Sequence, residues 1–129
     1  MKYLLDTHAF LWYLQGNPNL ALKAKNIIES KEYLYFSIVS LWEIAIKINI
    51  GKLRIHRPIE DLFKELQYRK IQILPLADKD IELYSGLTLP SNHRDPFDRM
   101  LIVQAMNHSL ILISTDVKLD AYSIQRLWD

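Results

Sequence analysis

The sequence predicts a three-layer α/β/α fold with a mainly parallel central sheet. Short runs rich in aliphatic or aromatic residues read as buried strands, each is followed by a stretch of helical pattern, and Gly16, Gly51 and Gly86 stand where helices stop. Strands alternating with helices of this length need crossover connections, and such crossovers cover both faces of a parallel sheet. In sheets of this kind ligands bind beyond the carboxyl ends of the strands.

Lys2–Leu5 is the first strand, and Thr7–Gln15 the helix after it, closed by Gly16. Leu20–Ser30 follows as a second helix, then Tyr33–Ser37 as the second strand and Leu41–Ile50 as its helix. Ser40-Leu41-Trp42-Glu43 has the form of a capping box, with Val39 and Ile44 available as a hydrophobic staple. Ile59–Arg69 is helical, Ile71–Leu74 is the third strand, and Lys79–Ser85 is a short helix ended by Gly86. Asp95-Pro96-Phe97-Asp98 reads as an N-cap, a proline at the first helical position and an acid at the third, opening a helix over Pro96–His108. Leu110–Ile113 is the fourth strand, Val117–Tyr122 a last helix and Ser123–Trp128 a weak fifth strand.

At 129 residues, half of them apolar, the chain is expected to form one compact domain over residues 1–129. Its 16 Lys and Arg against 15 Asp and Glu leave a net charge of +1, so any polyanion must be held by a local patch. The absence of cysteine excludes disulfides, cysteine-ligated zinc and a thiolate nucleophile, and fits a reducing cytoplasm. Three glycines at these positions cannot write a phosphate-binding glycine loop. Asp6 and His8 interrupt the apolar N-terminus, so a signal peptide is not expected, nor is a membrane span of about 20 apolar residues. His8, His56, His93 and His108 fit neither a metalloprotease spacing nor a catalytic triad.

The informative residues are acids. Asp6 follows the first strand, Asp116 lies just past the fourth, and Glu43 and Asp98 fall in the first turns of their predicted helices, so all four could meet at one sheet edge. Each is also a plausible helix cap, since a carboxylate there complements the helix dipole. The helix carrying Glu43 argues for more. It is apolar almost all round and so is expected to be buried on most sides, with Glu43 and Lys47, four apart, forming a polar stripe that opens on a cleft. Carboxylates converging on such a cleft repel unless a cation sits among them, and oxygen-only ligands suit Mg²⁺ or Mn²⁺ better than zinc.

LLDTHAFLW, SLWEIAIK followed by GKL, DPFDRMLIVQA and LISTD stand in that order across nearly the whole chain. In these blocks the sequence resembles the PIN-domain nucleases, and most closely the VapC-type toxins of bacterial toxin–antitoxin pairs. The resemblance implies a PIN-like α/β/α fold and an endoribonuclease using one or two Mg²⁺ or Mn²⁺ ions. By matching position it makes Asp6, Glu43, Asp98 and Asp116 the acidic site, with Asp95 an additional acid of open role, and Thr7 and Thr115 neighbouring hydroxyls. Its partners would be RNA, a cognate antitoxin laid along a hydrophobic groove, and a second copy of the chain in a homodimer. Lys47, Lys52, Arg94, Arg99 and Lys118 are candidates for holding RNA phosphates, each of them equally an ordinary solvated cation.

Two other readings remain open at this point. A phosphoacceptor receiver domain also holds Mg²⁺ at strand ends, but it needs an acidic pair after the first strand and an acceptor Asp after a central one. Here Asp6 stands alone and the second strand ends at Phe36-Ser37. A nuclease-like fold that only binds RNA or protein is the other. Phe10, Trp12 and Tyr13, with Leu11 and Leu14, give the first helix more apolar bulk than one core-facing stripe needs, which leaves room for core packing or a partner surface.

Overall fold

β1 (Lys2–Leu5) and β4 (Ile111–Ile113) run side by side, and Leu4, Leu5, Leu112 and Ile113 are fully buried. That is what unbroken apolar runs require of strands covered on both faces. The computed structural model describes residues 1–30, 32–88 and 95–129. Five strands pair in the order β3-β2-β1-β4-β5, all parallel, with β2 over Tyr33–Ser37, β3 over Gln72–Leu74 and β5 over Arg126–Leu127. Tyr3 is in register with Leu34 and Ile111, and Leu5 with Phe36 and Ile113. The chain builds outward from β1 through β2 to β3, then returns to the far side of β1 for β4 and β5. Its direction of winding therefore reverses between β1 and β4, and crevices open at such reversals.

Alternate residues of the strands serve opposite faces. Tyr3, Leu5, Leu34, Phe36 and Ile113 join one core with Phe10 of α1 (Thr7–Gln15), Ile28 of α2 (Leu22–Glu29), Ile44 of α3 (Ile38–Asn49) and Leu62 and Leu66 of α4 (Glu60–Tyr68). Leu4, Leu74 and Leu112 join the other core with Leu101, Ile102 and Ala105 of α6 (Pro96–His108). α5 (Asp78–Ser85) packs along α6. Each fully buried Leu, Ile or Phe contributes roughly 1.5–3 kcal/mol, so the two cores dominate stability.

α5 is fixed by one buried carboxylate. Asp80 Oδ2 accepts from the Ala77 N–H at 3.0 Å and from Gln104 Nε2 at 3.2 Å, while Oδ1 accepts from Asn107 Nδ2 at 2.8 Å. Burial pushes this carboxyl up, but the hydrogen bonds from Asn107, Ala77 and Gln104 outweigh it and leave the group below its usual range.

α1 and α6 have the predicted bounds, whereas α3 corrects the sequence reading. β2 passes straight into α3 at Ile38, and Ser37 is the cap, its Oγ accepting the Val39 N–H at 3.0 Å. Ser40 and Glu43 therefore form no capping box: both lie inside the helix and are buried, and Glu43 is not in the first turn. α3 is covered along most of its length, with Trp42, 62% exposed, and Asn49 the residues of the helix that stand clear. The predicted helix over Val117–Tyr122 is a 3₁₀ helix over Val117–Ala121, and the last strand shrinks to two residues. Among the described residues no helix is long and apolar enough to cross a membrane.

Candidate active site

The strand ends on either side of the reversal supply the first two acids. The Asp6 N–H donates to the Ile113 carbonyl at 3.0 Å, which carries the β1–β4 pairing one residue past the strand. Asp6 then caps α1, its Oδ1 accepting the Ala9 N–H at 2.7 Å. After β4 the chain is held by Ser114, fully buried, whose Oγ accepts the Asp116 N–H at 3.1 Å and whose side chain is hydrogen-bonded to the Asp6 carboxylate. Asp116 caps the 3₁₀ helix by accepting the Lys118 N–H at 3.0 Å.

Glu43 reaches the same place from the second turn of α3. Its Oε1 accepts from the Thr7 hydroxyl at 2.8 Å, and its Oε2 pairs with Lys47 Nζ at 3.1 Å. The Thr7 hydroxyl also stands 2.9 Å from Ser40 Oγ; it carries one proton, so with that proton on Glu43 the Ser40 hydroxyl must be the donor to Thr7. Thr7, Ser40 and Glu43 are all buried, so the network locks α1 to α3 and fixes the glutamate. Asp95 is the cap that its sequence predicts, its Oδ1 accepting from Phe97 N–H at 2.9 Å and Asp98 N–H at 3.1 Å.

These groups surround one cavity of about 240 Å³, lined by Asp6, Thr7, His8, Glu43, Lys47, Asp95, Asp98, Thr115 and Asp116. The fold thus gathers the four acids, Asp95, both threonines and Lys47 on one wall of the molecule. Burial pushes the Asp6 carboxyl up and nearby Glu43 adds to this, while Ser114, the Ala9 N–H and His8 oppose them without cancelling the rise. Asp6 resists ionisation in a cavity lined by other carboxylates, the balance a cation would reverse. Among the described residues no three His, Cys, Asp or Glu side chains are drawn close enough together to form a metal cluster as they stand. The donor set is nonetheless chemically suited to a hard divalent ion, being carboxylate oxygens with hydroxyls beside them.

Three predicted phosphate contacts stand elsewhere. Arg99 is buried, its Nη2 donating to the Leu87 carbonyl at 3.1 Å and its guanidinium 5.2 Å from the centre of the Tyr84 ring. It ties α6 to α5 rather than facing the cavity, because adjacent helical residues point about 100° apart. Lys118 and Lys52 are exposed and lie outside the lining. Arg94 and His93 fall outside the described residues. Sequence reasoning read Ser40 only as a helix cap and passed over Ser114, although both position the acids, and it assigned no site role to His8. The one signal for Ser114 is its place between the last strand residue and Thr115.

α3 turns a second surface outward. Trp42, with its ring centre 5.5 Å from that of Phe97, lines an almost wholly apolar groove of about 440 Å³ with Val39, Leu76, Ile81, Tyr84 and Met100.

A parallel α/β sheet with carboxylates gathered at its point of reversal defines the class, and residues 3–124 match the PIN domain model. The chain belongs to the PIN domain family. It is 25% identical over 122 residues to Ribonuclease VapC22 of Mycobacterium tuberculosis (strain ATCC 25618 / H37Rv), covering 92% of this chain and 90% of that protein. Its fold is similar to that of a chain in the crystal structure of VapBC2 from Rickettsia felis bound to a DNA fragment from their promoter, with TM-score 0.68, 16% identity and all of both chains covered. A chain of DNA-bound VapBC from Salmonella typhimurium matches at TM-score 0.66 and 15% identity, over 98% of this chain and 97% of that one.

Proposed function

We propose that the chain is a Mg²⁺- or Mn²⁺-dependent endoribonuclease and the toxin of a toxin–antitoxin pair. The observation that carries this is the meeting of Asp6, Glu43, Asp98 and Asp116, from four separate elements, on one cavity where the sheet reverses. Membership of the PIN domain family supports it, as do the ribonuclease name of the mycobacterial relative and the VapBC complexes among the structural neighbours.

In this reading Asp6, Glu43, Asp98 and Asp116 hold one or two ions. Such ions, when bound, lower the pKa of water and offset charge developing on a phosphodiester. The chain's own residues arrange the rest. Ser114 couples Asp6 to Asp116 across the β1–β4 junction, and Thr7 holds Glu43 in one rotamer. Lys47 compensates the outer oxygen of Glu43 and presents a cation to the RNA backbone, and Thr115 offers a hydroxyl at the rim. Asp95 builds the first turn of α6 and so places Asp98. No side chain need form a covalent bond to the substrate. The 129 residues act as one domain, in the cytoplasm, with an antitoxin and a second copy of the chain as protein partners.

Cleavage of single-stranded RNA by the purified chain tests this directly. EDTA should stop it and Mn²⁺ or Mg²⁺ restore it; cleavage untouched by chelator, in protein freed of contaminating nuclease, overturns the mechanism. Expression of the chain alone should slow growth, and a co-expressed antitoxin should restore it. Normal growth with abundant, folded, RNA-cleaving protein would overturn the toxin assignment.

A further inference from the structure

Beside the acid cavity lies a smaller one of about 90 Å³ between α1 and α3, and the two share Thr7, His8 and Lys47 in their walls. A row of rings leads away from this junction. His8 and Trp12 have ring centres 5.9 Å apart at an interplanar angle of 50°, and Trp12 and Trp128 lie 5.9 Å apart at 66°. His8 and Trp12 are four residues apart and share one face of α1. Trp128 comes from beyond β5, at the other end of the sequence. The core takes up these rings only in part: Ala9, Phe10 and Leu11 are the α1 side chains buried in it and Trp128 packs against its edge, whereas His8 is exposed and Trp12 is half-covered.

We propose that His8, Trp12 and Trp128 form a stacking platform for an unpaired base of single-stranded RNA, beside the phosphate held in the acid cavity. The proposal rests on the ribonuclease reading and adds to it how the chain grips substrate. Every base has a π-face, so stacking on an aromatic side chain grips a base with little sequence preference. Unpaired bases, unlike those in a duplex, can be splayed onto such rings. Lys47 stands where the two cavities meet, placed to offset a backbone phosphate between the stacked base and the acids. Rings flanked by Lys47 and Gln15 suit a base and its phosphate better than an apolar peptide, for which the groove beside Trp42 is larger and almost wholly apolar.

The test uses the full chain in EDTA, so that RNA binds without being cut, in a Trp42→Phe background that leaves Trp12 and Trp128 as the only indole reporters. Titration with a single-stranded RNA oligonucleotide should quench their fluorescence. Trp12→Ala should raise Kd about tenfold, equivalent to about 1.4 kcal/mol, and with metal present should raise KM comparably while kcat stays within about twofold. Trp12→Phe keeps a ring face and should retain most of the affinity. An oligonucleotide carrying an abasic site at the stacked position should erase the difference between the parent and Trp12→Ala, as expected when the ring acts on that base. A folded Trp12→Ala with unchanged Kd and KM, or a Trp12→Phe as defective as Trp12→Ala, overturns the platform and leaves the rings to packing or a protein partner. Failure of the unsubstituted chain to cut RNA in metal would instead overturn the ribonuclease reading.

Discussion

Asp6 and Asp80 each sit at the start of a helix and each loses hydration to the fold, yet their surroundings push them in opposite directions. Asp80 is enclosed by donors from three sides, the Ala77 N–H, Gln104 and Asn107, and its carboxyl is held below the usual range. Asp6 receives the Ala9 N–H and Ser114, but its burial, with a smaller push from Glu43, outweighs them and holds its carboxyl up. The first acid is saturated by the protein and fastens α5 to α6. The second keeps only part of the donors its burial requires, and a cation in the cavity it lines would favour its charged form. Position at a helix N-terminus does not by itself set the charge of an acid; what decides is whether the donors around it offset its burial, as they do for Asp80 and not for Asp6.

Substitutions should separate the two regions most sharply in rate. Asp98→Asn removes a charge from the acid cavity while leaving the Asp95 cap intact, and should lower the cleavage rate by about a hundredfold or more, a loss of roughly 3 kcal/mol in the transition state. Asp95→Asn retains a good N-cap and should keep much of the activity. Assayed side by side at saturating Mg²⁺, an inactive Asp95→Asn beside an active Asp98→Asn would shift the working acid by one helical turn.

The Asp80 region should respond in stability instead. Asp80→Ala orphans several buried donors, for about 3 kcal/mol and a melting temperature lower by roughly ten degrees, with the cleavage rate per folded molecule unchanged. Because the folded pKa of Asp80 lies below its unfolded value, its contribution is complete above the ordinary value of 3.8 and is lost as pH falls through the lower, folded one. Acid unfolding of parent and Asp80→Ala should therefore converge toward low pH. Parallel curves would show that the carboxylate charge is not what holds α5.

A smaller shift should come from the cation itself. Mg²⁺ at about 100 times its dissociation constant adds roughly 2.7 kcal/mol, several degrees of melting temperature for a domain of this size. Asp6→Asn should show less of that rise, starting from a metal-free protein slightly more stable than the parent because a disfavoured charge is gone. Equal rises in both would mean that Asp6 is not a ligand.

Much of this contrast was written locally, and some was not. Asp6 and Gly16 bracket α1, and Asp95-Pro96 opens α6, so both helices read correctly from their caps. α3 misled because Ser37 and Ser40 are both competent caps; the one nearer the strand wins when the chain needs no loop between β2 and the helix. Asp6, Asp98 and Asp116 were legible because each follows a strand or opens its helix, whereas Glu43 was picked out on a helix start placed three residues too late. Arg99 misled because nearness in sequence to Asp98 is not nearness in space on a helix. Asp80 carried no signal at all, since its side-chain partners Gln104 and Asn107 lie 24 and 27 residues further on. Ser40 read only as a cap and Ser114 only as the residue after a strand, because their work is contact with Thr7, Asp6 and Asp116, which spacing does not display.

Direct titration of the chelator-treated chain with Mn²⁺, read by calorimetry or by loss of the free-ion paramagnetic signal, bears most closely on the claim that one of these acids is poised for a cation and the other is not. The parent should bind one or two ions per chain. Asp6→Asn should weaken that binding at least tenfold, and Asp80→Asn, which is remote from the cavity, should leave it unchanged in folded protein. Absence of Mn²⁺ binding to the parent, or equal binding by Asp6→Asn, would contradict the assignment of the acid cavity as a metal-dependent catalytic site.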